Sequence, residues 1–227
     1  MTTINIHWLG RTDYLTAWEQ QKRLVQQVGA GKLPHQLLLL EHPPTITFGR
    51  KGKPEHLLLT EQQLAAEGIT RYDVDRGGDV TYHGWGQLVG YPILNLRQLQ
   101  TNYPDPSRYL RDVEQTIIDT LAQFHIDGWR YPGYTGVWVH HIDDSSPIPE
   151  PRKIAAIGVK FNGNGVSSHG FALNIDPNMT HFDAIIPCGI HEHSVASMAQ
   201  LDVSTTVFDV AQVMIEAFTA VFNLTPQ

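Results

Sequence analysis

The sequence predicts an α+β fold, a mixed or antiparallel sheet with flanking helices, and three observations carry that expectation. Helical and extended segments are interleaved along the chain. Several extended runs are joined by tight, glycine-containing turns, which antiparallel neighbours can use and parallel neighbours cannot. No G-x-G-x-x-G fingerprint follows the first extended run, so a doubly wound dinucleotide-binding arrangement lacks its signature. The 227 residues show no repeat, no low-complexity tract and no linker, and are read as a single domain spanning 1–227.

Taken in order, Ile4 to Leu9 reads as a strand. Asp13 is placed to cap a helix to about Val28 with Tyr14, Trp18, Val25 and Val28 near one face, stopped by Gly29 and Gly31. Gln36 to Glu41, centred on four leucines, is a buried strand. Pro43-Pro44 breaks it, and Thr45 to Phe48 resumes extended structure. Thr60 with Gln63 forms a capping box for a short helix through Ala66. Leu88 to Leu96 is a strand that Pro92 should confine to an edge or a bulge. Asp105-Pro106 starts a helix whose Leu110, Val113, Ile117, Leu121 and Phe124 share a stripe. Trp129 to His140 contains turn glycines and a strand through Val137 and Val139. His141 to Pro151 is a proline-rich surface loop. Lys153 to Phe161 and Val166 to Ile175 pair through Asn162-Gly163-Asn164-Gly165. Ser204 is placed to cap a last helix with Val207, Val210, Met214, Ala217 and Val221 on one face.

Composition sets the outer limits. Hydrophobic residues make up 41% of the chain, enough for an ordinary core, and the formal net charge of −7 gives no reason to expect nucleic acid or a membrane surface as partner. No apolar run approaches transmembrane length, and the N-terminus lacks a signal-peptide pattern. The single cysteine, Cys188, excludes an internal disulfide and fits a reducing, cytoplasmic setting.

The densest chemistry lies in Arg76-Gly77-Gly78-Asp79-Val80-Thr81-Tyr82-His83-Gly84-Trp85-Gly86-Gln87-Leu88-Val89-Gly90-Tyr91-Pro92. Five glycines there spread among polar residues suggest a backbone that a ligand approaches closely, although a polar hairpin loop has the same composition. Cys188, between Pro187 and Gly189, is a candidate nucleophile, and its thiol needs an activating partner because only the thiolate attacks well. His169, His181, His191 and His193 are near in sequence, and Lys153 and Lys160 are the lysine candidates. Strand alternation puts Lys153 with Ala155, Ile157, Val159 and Phe161 on an apolar face, where lost solvation favours a neutral amine. That argument favours Lys153 and leaves Lys160 as a surface lysine. His191-Glu192-His193 with His181 is a weak metal pattern, and no metal is expected. Phosphate-loop and serine-hydrolase signatures are missing, and no cofactor is expected.

These segments, with Lys153-Ile154-Ala155-Ala156-Ile157-Gly158, His169-Gly170-Phe171-Ala172-Leu173-Asn174 and Pro187-Cys188-Gly189, together resemble the octanoyltransferases of lipoate biosynthesis. The order of the segments matches that family over nearly the whole chain. The resemblance implies the fold shared with biotin and lipoate protein ligases. It implies transfer of an octanoyl group from octanoyl-acyl carrier protein to a lysine of a lipoyl domain through a thioester on Cys188, with Lys153 as its partner. Substrate contacts are implied at Arg76, Gly77, Gly78, Asp79, Val80, Thr81, Tyr82 and His83, at Ala156, Ile157 and Gly158, and at Gly170, Phe171 and Ala172. The implied acceptors are lipoyl domains of 2-oxoacid dehydrogenase complexes and the glycine cleavage H protein, and the enzyme is expected to act as a monomer without nucleic acid or membrane. The family usually has proline where Trp85 stands, a departure placed near the pocket mouth. An ATP-dependent ligase on the same fold, and a cysteine hydrolase pairing Cys188 with His169, are the competing expectations. A basic patch of Arg11, Arg50, Lys51, Lys53 and Arg76 is the expected counterpart of an acidic carrier.

Overall fold

The computed structural model describes residues 2–99, 104–140, 150–189 and 193–227, apart from the side chain of Cys188. The elements follow as β1 (Thr3–Arg11), α1 (Tyr14–Gly29), β2 (His35–Glu41), β3 (Thr45–Phe48), α2 (Glu61–Ala66), β4 (Thr70–Asp73), β5 (Val80–His83) and β6 (Gln87–Ile93). Then come α3 (Leu96–Leu99), α4 (Pro106–Gln123), β7 (Trp129–Tyr131), β8 (Tyr134–His140), β9 (Pro151–Phe161), β10 (Ser167–Asn174), α5 (Val207–Phe222) and β11 (Thr225–Pro226). An eight-stranded sheet runs β11-β1-β2-β6-β10-β9-β8-β7, and a three-stranded sheet runs β4-β3-β5. β1 pairs in parallel with β11 and β2. The other ladders of the large sheet are antiparallel, and the expected mixed α+β architecture is what forms.

The four leucines of β2 organise the layers. Leu37 and Leu39 enter the core formed with α4 and α5, beside Val113, Ile117, Met214 and Phe218. Leu38 and Leu40 enter the core under α1, with Ala17, Val28, Val89 and Tyr91. A two-residue period on a strand buried on both faces requires this division. Each fully buried leucine contributes roughly 1.5–3 kcal/mol. A third core joins the small sheet, through Ile46, Val80 and Tyr82, to Leu64 of α2 and to Phe182 and Ile185.

The expected caps of the first helices form. The Asp13 carboxylate accepts from the Leu15 and Thr16 amides, the Thr60–Gln63 capping box closes α2, and Asp105 accepts from the Ser107 and Arg108 amides. The last helix departs from expectation. Its cap is Thr206, which accepts from the Asp209 amide, and its buried residues are Val210, Ala211, Met214 and Phe218. The buried stripe thus includes Ala211 and Phe218 where spacing from Val207 selected Ala217 and Val221. On α1 the buried set is Tyr14, Ala17, Gln21 and Val28, with Trp18 half-exposed.

Pro92 also departs from expectation, because β6 is a central strand. Its ladder to β10 ends at the Gly90–Phe171 pair. Beyond that pair the Ser167 hydroxyl donates to the Pro92 carbonyl (2.8 Å) and accepts from the Leu94 amide (2.9 Å). A side-chain hydroxyl therefore replaces ladder bonds where proline has no N–H to offer. Residues 141–149, most of the expected surface loop, lie outside the described residues. Among the described residues no helix is long and apolar enough to cross a membrane.

Candidate active site

A cleft of about 560 Å³ opens where the glycine-rich stretch crosses β9 and β10. Its size falls in the range of roughly 300–1,000 Å³ usual for small-molecule sites. Arg76, Gly77, Gly78, Asp79, Thr81 and His83 line it from one side, and Ala156, Ile157, Gly158, Gly170, Phe171 and Ala172 from the other. Val80 and Tyr82, also expected as contacts, are not among the lining residues. Both belong to the core of the small sheet, because alternation along β5 sends Thr81 and His83 to the cleft and their neighbours away from it. Trp85 is not among the lining residues. Its ring lies under the Arg11 guanidinium, 4.8 Å from ring centroid to Cζ.

The glycines are needed for close approach of backbones. Gly158 has the Gly77 carbonyl 3.0 Å and Arg76 Cδ 3.1 Å from where a Cβ would stand, and at Gly170 the Gly90 carbonyl would be at 2.0 Å. Arg76 is buried at 7% exposure and builds the wall. Its guanidinium donates to the Thr47 carbonyl at 2.6 Å and to the Gly77 carbonyl at 3.0 Å. It is thus a strut between the small sheet and the glycine loop, not part of an exposed basic patch. Arg50, Lys51 and Lys53 are exposed in the segment after β3, and Lys51 lines the cleft.

Lys153 is buried at 6% exposure and lines the cleft. The parity that selected it does not hold. Val137 pairs with Ala155 while Trp138 pairs with Lys153, so one extra residue, Ile154, is accommodated in β9. Such a bulge reverses the alternation beyond it. Lys153 therefore lines the cleft with Ala156 and Gly158, residues that strict alternation puts on the opposite face. Its ammonium lies 4.9 Å from the centroid of Trp138. Gly136 makes room for the stem, since a Cβ there would stand 2.5 Å from the Ala155 carbonyl and 3.4 Å from Lys153 Cε.

Cys188 sits in a single 3₁₀ turn, Pro187–Gly189. The Ile186 amide donates to the His56 carbonyl at 2.9 Å, and Leu57 bridges Ile185. His56 Nδ1 donates to Asp79 Oδ2 at 2.6 Å, and Asp79 Oδ1 accepts from the Val80 amide at 2.7 Å. A Cβ on Gly189 would come within 2.7 Å of Asp79 Oδ2 and 2.8 Å of His56 Cε1. The His56–Asp79 pair is therefore the platform on which the cysteine turn rests, and His56 was not selected by any sequence motif. Pro187 and Lys153 line one small hollow, and Gly189 and Lys153 line the main cleft. Two glycine amides are already committed. Gly77 N–H donates to the Val159 carbonyl at 2.9 Å and Gly189 N–H to the Ile186 carbonyl at 3.0 Å.

At the inner end of the cleft lies a buried polar cluster of which sequence reasoning named only His83 as a site residue. The His42 Nδ1–H donates to the Thr12 carbonyl (2.7 Å), so Nε2 accepts from the Tyr91 hydroxyl (2.7 Å). His83 Nδ1 donates to Gln87 Oε1 (2.9 Å), and the Gln87 amide donates to Asn174 Oδ1 (2.8 Å). Burial pushes His42 down to about 4 and His83 down to about 3, so both are neutral. Tyr14 stacks on His83 with ring centroids 5.9 Å apart. Because these partners come from the residues just after β1 and β2 and from β5, β6 and β10, no local spacing reveals the whole set.

Of the four histidines weighed as activating partners, the three described ones are bonded or packed elsewhere. His169 Nε2 donates to Asp75 Oδ1 at 2.8 Å, and its Nδ1 is buried. His181 Nδ1 meets the Tyr82 hydroxyl at 2.8 Å. The His193 ring packs edge-on against Tyr131, Tyr134 and Trp138. His191 and Glu192 lie outside the described residues. Among the described residues no cluster of three or more His, Cys, Asp or Glu could hold a metal ion.

The lipoyl protein ligase A/B catalytic domain profile matches residues 13–219. An octanoyltransferase of Chloroflexus aggregans is 45% identical over the whole chain and 98% of its own length. One from Roseiflexus sp. (strain RS-1) is 44% identical over the whole chain and 90% of its own length. A bipartite lipoate protein ligase from Thermoplasma acidophilum, solved as part of an archaeal lipoylation system, covers 100% of this chain and 86% of its own with a TM-score of 0.73 at 14% identity. At that identity it speaks for the expected ligase-like fold alone, whereas the two full-length relatives carry the activity class. The chain belongs to the octanoyltransferase family, acyltransferases within the lipoyl protein ligase A/B catalytic-domain class.

Proposed function

We propose that the enzyme moves an octanoyl group from octanoyl-acyl carrier protein to a lysine of a lipoyl domain through a thioester on Cys188. The observation that carries this reading is the placement of Lys153 beside the cysteine turn, since the residues on either side of Cys188 each line a hollow together with that buried lysine. Lys153 takes the thiol proton, and the thiolate attacks the thioester carbonyl. The tetrahedral intermediate collapses, the carrier sulfur leaves, and Lys153 returns the proton to it. The amine of the acceptor lysine then attacks the acyl-enzyme, gives a proton to Lys153, and displaces the Cys188 thiolate to leave an amide. No further energy source is needed, because the incoming thioester is already activated.

The acyl chain fits against Ala156, Ile157, Phe171 and Ala172, whose small or apolar side chains line the cleft. The exposed cations Arg50, Lys51 and Lys53 at its edge favour an acidic carrier. A lipoyl domain as acceptor agrees with the Thermoplasma acidophilum ligase, which is described together with its E2 lipoyl domain as one lipoylation system. A cysteine hydrolase using His169 lacks support, because Asp75 takes His169 Nε2 and the remaining nitrogen, Nδ1, is buried in a residue only 2% exposed.

Intact-mass measurement after mixing with octanoyl-acyl carrier protein tests the reading. An octanoyl adduct is expected that Cys188→Ser abolishes, that Lys153→Ala slows by about 10²–10⁴-fold, and that moves to an added lipoyl domain. A folded enzyme that forms no adduct, or one that loses it only to water, would exclude the transfer.

A further inference from the structure

Lys160, expected on the surface, is half-buried and its ammonium binds Asp75 Oδ2. The other oxygen of the same carboxylate accepts from His169 Nε2 at 2.8 Å. Three segments meet at this point: the start of the glycine loop, the end of β9, and β10. The meeting is not what regular strands would give. His169 is paired with Val159, so alternation puts the Lys160 side chain on the opposite face from His169. The conflict is removed by His169 itself, whose φ is +56°. That conformation is unfavourable for a residue with a Cβ. The neighbouring Gly170 could adopt it at little cost, yet the strain falls on the histidine. His169 also leaves Nδ1 buried without a hydrogen-bond partner among the described residues, at 2% exposure. Its amide is fixed by Gln21 Oε1 of α1 at 2.8 Å. Strain and an orphaned nitrogen at one cleft-lining residue indicate that a specific placement is being held against local preference.

We infer that Asp75, His169 and Lys160 form a clasp that positions the Arg76–Gly78 wall for the acyl donor. Asp75 directly precedes Arg76, and the wall meets the same stretch of β9 through the Gly77 amide and the Val159 carbonyl, 2.9 Å apart. The clasp holds the loop on both sides of Arg76 and thereby fixes the distance between the two walls of the cleft. Asp75 and Lys160 are positioning residues, since neither carries out the transfer. This inference rests on the acyl-transfer reading above for its kinetic consequence, and on the geometry alone for its structural one.

The test uses the whole enzyme with Lys160→Met, Lys160→Arg and Asp75→Asn. With octanoyl-acyl carrier protein as donor, Lys160→Met is expected to raise KM about fivefold to tenfold with kcat within about twofold. Lys160→Arg, which keeps a donor to Asp75, should stay near the parent. In substrate-free protein, hydrogen exchange at the Gly77 amide should speed up in Lys160→Met and Asp75→Asn but not in Lys160→Arg. Lys160 is partly exposed, so its replacement leaves a test even where Asp75→Asn does not fold. Unchanged KM and unchanged Gly77 exchange in Lys160→Met would overturn the clasp, as would a loss of kcat alone. A parent enzyme that forms no octanoyl adduct would reject the transfer reading, while the exchange data would still decide the clasp.

Discussion

At the scale of single residues, the cleft is shaped as much by missing side chains as by present ones. Gly170 faces the Gly90 carbonyl and Pro92 Cδ, which would lie 2.0 and 2.7 Å from an added Cβ. A backbone carbonyl cannot swing aside as a flexible side chain can. Gly170→Ala is therefore expected to cost about 2–3 kcal/mol of stability, read as a lower midpoint in urea unfolding. Gly163→Ala, at a turn position with nothing within 4 Å of the new methyl, should change the midpoint little. Equal midpoints for the two variants would show that the β6–β10 approach is looser than described. Much of this layer could be anticipated from the glycine-rich run and the Pro-Cys-Gly turn. The part that could not be is Ile154, whose bulge delivers Lys153 to the cleft by the opposite parity from the one a regular strand implies.

At the scale of elements, helix starts were largely legible, because a cap and its first turn are sequence neighbours. Asp13, Thr60 and Asp105 cap as their spacing requires. The exception is α5, which starts two residues later than Ser204 would place it, with Thr206 as its cap. Thr206 accepts from the Asp209 amide and donates to its carboxylate at 2.6 Å. Thr206→Ala should destabilise the protein by about 1 kcal/mol, whereas Ser204→Ala should stay within roughly 0.5 kcal/mol. Chemical denaturation of the two variants checks this, and the reverse order would return the cap to Ser204. Pro92 shows the same dependence on context. A proline in an isolated strand pattern reads as an edge, but the Ser167 hydroxyl, 75 residues away in sequence, takes over the hydrogen bonding of a central one.

At the scale of the whole molecule, the buried histidines make the fold sensitive to acid. His42 and His83 are held by burial at about 4 and about 3, against an ordinary value of 6.5. Above pH 6.5 both the folded and the unfolded chain leave them neutral. As the pH falls below that value the unfolded chain takes up protons and the folded one does not, so stability declines until the folded values are reached. Asp75 acts in the same direction. Its hydrogen bond from His169, and after that the one from Lys160, hold its carboxyl below the usual carboxylate range. The resulting stabilisation is present above that range and is lost as the pH falls through it. Between pH 7 and pH 5 the two histidines together should remove about 4 kcal/mol, measurable as a fall in the urea midpoint. An unchanged midpoint would mean that both His42 and His83 reach water in the folded state.

The sequence by itself determined the mixed α+β architecture, the two-sided burial of the β2 leucines, most helix caps and the segments that line the cleft. Each of these follows from contacts within a few residues, or from a period that a strand or helix imposes. Only the tertiary structure decided that His56 and Asp79 support the Cys188 turn, that Lys153 reaches the cleft past a bulge, that Arg76 is an internal strut, and that Lys160 serves Asp75. Those outcomes depend on which strand lies beside which, on one bulge and on one left-handed histidine. None of the three is written in the spacing of neighbouring residues, because each is fixed by hydrogen bonds and packing between segments far apart along the chain.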